Sequence, residues 1–322
     1  MAKQKIKVSV IMPVYNSAQF LPECLNCVIN QTLRDIEIIC IDDGSTDGSL
    51  QILEEYAQKD SRITVLKQKH QYAGVARNKG MEHAKGEYLS FLDSDDMFEP
   101  VMLEEMYNAA VQNDTDITVC NAKIYDNGTL LEDKILAEDS IPNGVFSCAD
   151  PKFASFVFQI FIGMPWNKLF KRSFVQKQNI FFSSTLHHND TAFVMGSFAA
   201  AQRIIYLPKY FIYWRWRRDS ISHLPTISDS IYRSIHDLYN NISGLKNYPL
   251  IERSFINFII DYTYRFYTYS TSEEHKILAV ACIKAFYREF NIGKYPQNYF
   301  YQPQNYRLIN KLAQWNLLPA TV

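Results

Sequence analysis

Residues 88–96 read Tyr88-Leu89-Ser90-Phe91-Leu92-Asp93-Ser94-Asp95-Asp96. A short apolar run stops on three carboxylates. The run has the aromatic and apolar content of a buried strand and is too short for most helices. Carboxylates crowded at a strand end repel one another and lose hydration, so something must offset that cost. A hard divalent cation can do so, and magnesium or manganese held by one or two carboxylates keeps room for substrate phosphates. A solvated loop, with Asp residues capping the segment from Glu99, accounts for the same letters. Asp-x-Asp is common, and taken alone it favours that loop; the rest of the chain must decide.

Outward from this stretch, strand alternates with helix. Val8–Met12, Glu37–Ile41, Ile63–Leu66, Tyr88–Leu92 and Asp116–Cys120 read as strands. Phe20–Gln31, Ser49–Gln58, Ala73–Ala84 and Pro100–Gln112 read as helices, the third closed by Gly86 in the usual position past a helix end. Short continuous apolar strands between helices predict an α/β fold with a mostly parallel central sheet and flanking helices. Ligands on such sheets bind beyond the carboxyl ends of the strands, which is where the chain's motifs fall. Residues 121–165, with Gly and Asn turns, read as an insertion or hairpin over the sheet. From 226 the pattern turns helical, over Ile231–Leu245, Leu250–Ser270 and Glu274–Phe290. The expected division is a sheet domain over 1–225 and a C-terminal helical subdomain over 226–322.

The 322 residues are 47% hydrophobic and 21% charged, as in a soluble globular protein with room for one large and one smaller domain. A net charge of −1 gives no case for a nucleic-acid partner. Cys24 and Cys27 form one C-x-x-C without a second pair or a His pair, so buried free thiols in a reducing cytoplasm are expected rather than a zinc site. The N-terminus lacks the pattern of a signal peptide. No apolar run reaches the ~18 residues of a membrane span; the closest, Phe153 to Trp166, is broken by Ser155, Gln159 and Pro165.

Four motifs carry the chemistry. The first strand ends in Pro13-Val14-Tyr15-Asn16 and the second in Asp42-Asp43-Gly44-Ser45-Thr46-Asp47. The helix after the third contains Gly74-Val75-Ala76-Arg77-Asn78-Lys79-Gly80, and the fourth strand ends in Asp93-Ser94-Asp95-Asp96. Tyr15 at a strand end could stack on a base, a contact worth ~1–3 kcal/mol, or belong to a core. Asp43 could accept a base or ribose proton, although Asp-Gly followed by Ser-Thr-Asp also makes a turn and a helix cap. Gly74 would let another backbone approach the helix start. The chain lacks G-x-G-x-x-G after its first strand and lacks G-x-x-x-x-G-K-[ST], which argues against dinucleotide and P-loop enzymes.

In order, spacing and strand placement, these four together resemble the nucleotide-binding half of family 2 glycosyltransferases, whose fold is called GT-A. The resemblance spans roughly residues 5–225 and makes 1–225 the nucleotide-sugar-binding and catalytic domain. It implies that Tyr15, with Pro13, lies along the base, that Asp43 reads uracil or ribose, and that Arg77 supports the base and the Asp-rich turn. Asp95 would bind a divalent cation, Mn²⁺ or Mg²⁺, that bridges the donor diphosphate. Asp93 would assist through ribose or metal-bound water, Ser94 would belong to the same donor-binding turn, and Asp96 would be a cap that tolerates change. Metal charge suits a nucleoside diphosphate leaving group. An inverting transfer also needs a base for the acceptor hydroxyl. The family's Glu-Asp pair maps onto Asn189-Asp190, which makes Asp190 that base and leaves Asn189 where Glu is usual. His187 and His188 are alternative bases, ligands or acceptor contacts.

Pro165-Trp166-Asn167-Lys168-Leu169-Phe170 matches a family stretch that borders the donor-sugar and acceptor pocket. Trp166 could stack on a sugar or fill a core, and Lys168 could reach phosphate or a carboxylate. The run from Tyr213 to Ser222 resembles the family's closing strand and loop. Alternation puts Arg215 and Arg217 on one side and Trp214, Trp216 and Arg218 on the other, and the Arg fork suits a diphosphate. His223 could be a third metal ligand. The same Trp-Arg run would also suit a membrane interface.

The resemblance thus implies a metal-dependent inverting glycosyltransferase of the hexosyl- or N-acetylhexosaminyl-transferase class. Its donor would be a nucleotide-diphosphate sugar, UDP-linked, and its acceptor a hydroxyl of a glycan or lipid-linked glycan in bacterial capsule or lipopolysaccharide synthesis. It would work in the cytoplasm or peripherally at the inner face of the cytoplasmic membrane, and the missing span disfavours a processive synthase. The aromatic C-terminal part, with Tyr262, Tyr264, Phe266, Tyr267 and Tyr269, leaves core packing, acceptor recognition, homodimerisation and docking on an anionic membrane open. Two rivals remain at this stage. One is a nucleotide-sugar-binding module without transfer, which Asn189 keeps in play. The other is a different α/β nucleotide enzyme, such as a nucleotidyltransferase or a dehydrogenase.

Overall fold

The computed structural model describes residues 5–126, 129–131, 141–161, 163–217 and 228–314. Along the chain run β1 (Val8–Val14), α1 (Leu21–Ile29), β2 (Ile36–Asp42), α2 (Ser49–Lys59), β3 (Ile63–Lys67), α3 (Tyr72–His83), β4 (Tyr88–Phe91), β5 (Met97–Phe98), α4 (Met102–Gln112), β6 (Ile117–Asp126), β7 (Thr129–Leu131), β8 (Val145–Phe146), α5 (Pro151–Ala154), α6 (Val157–Ile160), β9 (Lys168–Lys171), α7 (Arg172–Gln178), α8 (Thr191–Ala200), β10 (Ile204–Arg215), α9 (Ser228–Ile242), α10 (Tyr248–Tyr269), α11 (Glu273–Glu289) and α12 (Pro303–Gln314).

The strands form one ten-stranded sheet in the order β3-β2-β1-β4-β9-β6-β10-β5, with β7 on β6 and β8 on β10. Its four longest ladders, β1·β2, β1·β4, β2·β3 and β6·β10, are parallel. The antiparallel ladders that β5, β7, β8 and β9 make are only two or three residue pairs long. This is the α/β architecture with a mostly parallel sheet that the sequence predicts. β1 is buried at all seven positions, as a strand covered by helices on both faces must be. The chain winds outward through β2 and β3, then crosses back to β4 on the other side of β1. That reversal opens a crevice beyond the carboxyl ends of β1 and β4, where Tyr15 and Asp93 lie.

Two apolar clusters flank the sheet. On one side Val8, Val10 and Met12 pack with Leu21 and Leu25 of α1 and with Met102 and Met106 of α4. On the other, Ile11 and Phe91 join Phe193 and Phe198 of α8, and the same cluster continues to Phe255 of α10 and Phe286 of α11. The C-terminal helices therefore share a core with the sheet. Asn241 Nδ2 of α9 donates to Ala192 O at 3.1 Å, and Asn247 Nδ2 to Ala199 O at 3.0 Å. Between sheet and helices lies α8, buried at all ten positions.

Two local expectations change. β6 continues to Asp126 and pairs antiparallel with β7, because Asn121 and Ala122 remain buried beyond the expected end. Gly86 does not close α3, which stops at His83, and its φ is not positive. A Cβ on Gly86 would fall 2.5 Å from Ser9 N, so close approach to β1 requires the glycine. The six cysteines are free, five of them buried. Among the described residues no helix is long and apolar enough to cross a membrane.

Candidate active site

A cleft of about 820 Å³ opens over the carboxyl ends of β1, β2 and β4. Its first wall is the end of β1. Asn16, in a left-handed turn at φ +48°, accepts from Thr46 N at 2.8 Å and so ties the ends of β1 and β2 together. Tyr15 is 42% exposed on this wall and stacks on His70, with ring centroids 3.9 Å apart at 23°. Asp43 is buried below them. Its Oδ1 accepts from Gln71 N at 2.9 Å and Gln68 Nε2 at 2.8 Å, and its Oδ2 lies 2.9 Å from His70 Nδ1. Pro13 lines the cleft beside Tyr15. Asp47 takes the N–H groups of Ala18 and Ser49, and Asp42 that of Ser45, so both hold the turn.

At the end of β4 two carboxylates meet different guanidinium groups and the third a backbone N–H. Asp93 Oδ1 accepts from Arg77 Nη2 at 2.6 Å, and Asp95 Oδ2 lies 2.7 Å from Arg217 Nη2. Asp96 Oδ1 accepts from the backbone N–H of Arg215 at 2.8 Å, while Arg215 Nε donates to Asp95 O at 2.8 Å. Ser94 and Ser17 share a hydroxyl hydrogen bond of 2.8 Å. Burial, and then the neighbouring carboxylates, push Asp95 and Asp96 above the usual carboxylate range. The expectation that Asp96 tolerates change is corrected. It is 1% exposed, fastens the end of β10, and leaves Oδ2 without a partner among the described residues. Removing its carboxylate would strand a buried backbone N–H.

Arg77 joins this turn to the rest of the site. It is 5% exposed, and its second fork arm, Nη1, donates to Asn189 Oδ1 at 2.9 Å. An Asn in place of the usual Glu thus still offers Arg77 an acceptor, without a second negative charge beside Asp190. Asp190 stands at the start of α8 on the cleft wall. Burial pushes its carboxyl up to about 6, Arg77 opposing and Asp93 adding to the shift.

The loop carrying Asp190 is held from two sides. On the α3 side, Ser183 N donates to Asn189 O at 2.8 Å, and a Cβ on Gly74 would come within 2.1 Å of Ser183 O and 2.9 Å of Asn189 Cβ. Gly74→Ala is therefore expected to cost about 1–3 kcal/mol by overpacking, read as a lower urea midpoint, and to displace the loop that carries Asp190. A variant as stable and active as wild type would show the contact to be slack. On the α10 side, Tyr262 hydrogen-bonds His188, which sits in the left-handed region at φ +58°. Burial lowers His188 to about 4 and His187 below the usual imidazole range, so both rings are neutral at pH 7.

Arg215 and Arg217 both lie over the Phe20 ring at 5.0 Å, on the same side of their segment. Trp166 is 2% exposed and packs in the sheet's core where it borders the cleft. Lys168 is kept out of the cleft. It is fully buried on β9, and its amine donates to Met164 O at 2.7 Å and Asn167 Oδ1 at 2.6 Å, out of reach of a phosphate. Burial lowers that amine to about 7. His223 lies outside the described residues. Sequence reasoning missed His70, and on the far wall of the cleft it named only Tyr262, leaving out Phe158, Phe258, Asp261, Arg265 and Gln302. Residues from α6 and α10 meet there across about a hundred positions of sequence, and no local pattern joins them.

Residues 9–204 match the model of the family described as Glycosyl transferase family 2. The chain is 37% identical over 217 residues to the cholesterol galactosyltransferase of Borreliella burgdorferi, a match covering 64% of this chain and 59% of that protein. It is 31% identical over 277 residues to the poly(ribitol-phosphate) beta-glucosyltransferase of Bacillus spizizenii, covering 83% of this chain and 41% of that one. The chain thus spans well under two thirds of either relative. Among solved structures, TarS 1-349 of S. aureus in complex with UDP-GlcNAc superposes with a TM-score of 0.75 at 21% identity, covering 95% of this chain and 90% of that one. At that identity the likeness is one of fold.

Proposed function

The chain belongs to glycosyl transferase family 2, and on that premise we propose that it is a metal-dependent inverting enzyme. It moves a hexosyl or N-acetylhexosaminyl group from a UDP-linked donor to a hydroxyl of a bacterial surface glycan. The observation that carries this reading is Arg77, whose two fork arms tie the leaving-group turn at Asp93 to the loop of Asp190 in one cleft. A structure of like fold binding UDP-GlcNAc supports the donor class.

In this reading the exposed face of Tyr15 receives the uracil ring, with His70 behind it. Asp43, pinned by Gln68 and Gln71, accepts a base or ribose proton. The carboxylates of Asp93 and Asp95 are hard oxygen donors on the cleft wall. The raised titration of Asp95, on the cleft wall beside Asp93, favours added positive charge there. The two carboxylates fit a divalent cation that leaves positions for phosphate oxygens. When bound, Mn²⁺ or Mg²⁺ would be held by Asp95 with Asp93 and would offset charge on the departing diphosphate. Arg217 adds a fixed positive charge at the same turn.

Asp190 takes the proton of the acceptor hydroxyl as its oxygen bonds to the anomeric carbon. The bond from that carbon to the diphosphate oxygen breaks on the opposite face, and UDP leaves. A base titrating near 6 is ionised at pH 7 yet still basic enough to share a proton in the transition state. The test is a screen of nucleotide sugars for thermal stabilisation with and without Mn²⁺. A UDP-sugar at 100 times its dissociation constant should add about 2.7 kcal/mol. Stabilisation by NAD alone, or by no nucleoside diphosphate in the presence of metal, would sink the reading.

A further inference from the structure

Asp190 has little beside it to aim its side chain. It stands at the N-cap of α8 without a side-chain cap hydrogen bond, and Arg77, Asp93 and Lys168 act on it through their charges. The direction of its carboxylate is therefore set by the backbone that carries it. That backbone is unusual two residues earlier. His188 lies in the left-handed region at φ +58°, which is uncommon for residues other than glycine and persists where the surroundings fix it. Tyr262 of α10 supplies such a hold from outside the loop. Its hydroxyl hydrogen-bonds His188 Nδ1, and the Thr191 hydroxyl hydrogen-bonds the same oxygen, so one phenol holds the residues on both sides of Asn189-Asp190. The protons run one way along this chain. His188 is neutral, so its Nδ1 accepts the Tyr262 proton and the ring keeps its own on Nε2. The Tyr262 oxygen then accepts from Thr191. Tyr262 itself is anchored. It sits on the 22-residue α10 beside the buried Ile259 and Thr263, and its ring stacks on Phe258 with centroids 5.0 Å apart at 27°.

We infer that Tyr262 is a positioning residue for Asp190: one hydroxyl on α10 clasps the loop on either side of the base and so aims its carboxylate. The inference rests on the proposed transferase reading and adds a residue to its machinery. Two observations carry it. A tyrosine that merely packs needs one partner for its hydroxyl, and any backbone carbonyl would serve; here both partners flank the base. Ser183 and Arg77 fasten Asn189, at 2.8 Å to its O and 2.9 Å to its Oδ1, ahead of the base, whereas the Tyr262 clasp spans it. With the clasp open the carboxylate could swing, and a misplacement of about 1 Å at a reacting group can cost about 10²-fold in rate. The C-terminal helices thereby act on the base from within the core they share with the sheet.

Carbon-13 NMR titration of the Asp190 carboxyl in the full chain, assigned by its loss in Asp190→Asn, tests the clasp without a known substrate. Tyr262→Phe keeps the ring and removes the hydroxyl. Burial is what raises Asp190, so an unclasped loop should let its titration fall from about 6 towards the ordinary carboxylate value of about 3.9, with Arg77, Asp93 and Lys168 unchanged. Amide exchange over residues 187–192 should quicken by about tenfold or more, while that of β1 and β4 stays at the wild-type rate. Thr191→Val removes one arm of the clasp and should act in the same direction. Thr191→Ser keeps the hydroxyl and should titrate as wild type. UDP titration calorimetry on the same samples reads the donor side. A lowered titration with faster exchange, in a protein that never binds UDP, would keep the clasp and overturn the donor reading. A lower urea midpoint with the Asp190 titration unmoved in both Tyr262→Phe and Thr191→Val would make Tyr262 a packing residue and overturn the inference.

Discussion

Asp190→Asn is expected to lower transfer by about 10²–10⁴-fold while UDP binds as tightly as before. Asn keeps the shape of the side chain and cannot take a proton. The proposed UDP contacts are at the ends of β1, β2 and β4, and Arg77 still has Asp93 and Asn189 to hold. The pH dependence follows from the raised titration of Asp190 to about 6. In wild type, kcat/KM should fall as pH drops through about 6, because protonation disables the base, and should level off above it. The residual activity of the variant should lack that inflection. Stability changes in the opposite sense. A carboxyl titrating near 6 when folded and near 3.9 when unfolded binds its proton more tightly in the native state, so the wild type loses stability as pH rises from about 4 to 6. Asn removes this penalty, and the variant should match wild type near pH 4 and exceed it at pH 7 in thermal midpoint. Transfer within tenfold of wild type would take Asp190 out of the base role.

The sheet was legible because its strands are short continuous apolar runs that end on Pro-Val-Tyr, Asp-Asp-Gly and Asp-Ser-Asp, and a parallel sheet gathers such ends at one edge. The helices that cover it were legible where one face is polar, as in α1, with Leu21, Cys24, Leu25 and Val28 buried. α8 escaped because it has no polar face, and periodicity has nothing to report when all ten positions are buried. Motif order and spacing suggested that Tyr15, Asp43, Asp93 and Asp95 lie close together. The partners of these residues were not legible, because each pairing is set by tertiary packing. Arg77 reaches Asn189 across 112 positions, and His70 stacks on Tyr15 from the far side of four intervening elements. Lys168 shows the opposite failure. Its letter promises a surface charge, and β9 buries it where its amine meets the Met164 carbonyl, the Asn167 amide and the Phe198 ring.

Asp95→Asn and Arg217→Met should change Mn²⁺ binding in opposite directions, and the reason is their mutual contact. Asp95 Oδ2 is 2.7 Å from Arg217 Nη2, so a cation held by Asp95 as proposed would compete with the guanidinium for one carboxylate. Asp95→Asn removes the charged ligand and should weaken Mn²⁺ binding in the presence of UDP by at least about tenfold, which is about 1.4 kcal/mol. Arg217→Met removes the competitor and should tighten binding of Mn²⁺ alone, while costing UDP affinity because a fixed positive charge beside the diphosphate is lost. Asp93→Asn should differ from both. Its partner Arg77 is 5% exposed and also holds Asn189, so releasing Arg77 should lower stability and transfer together. Titration calorimetry with Mn²⁺, with and without UDP, separates the three. If Arg217→Met weakened Mn²⁺ binding as Asp95→Asn does, the ion pair would be a scaffold for the metal turn and not its competitor.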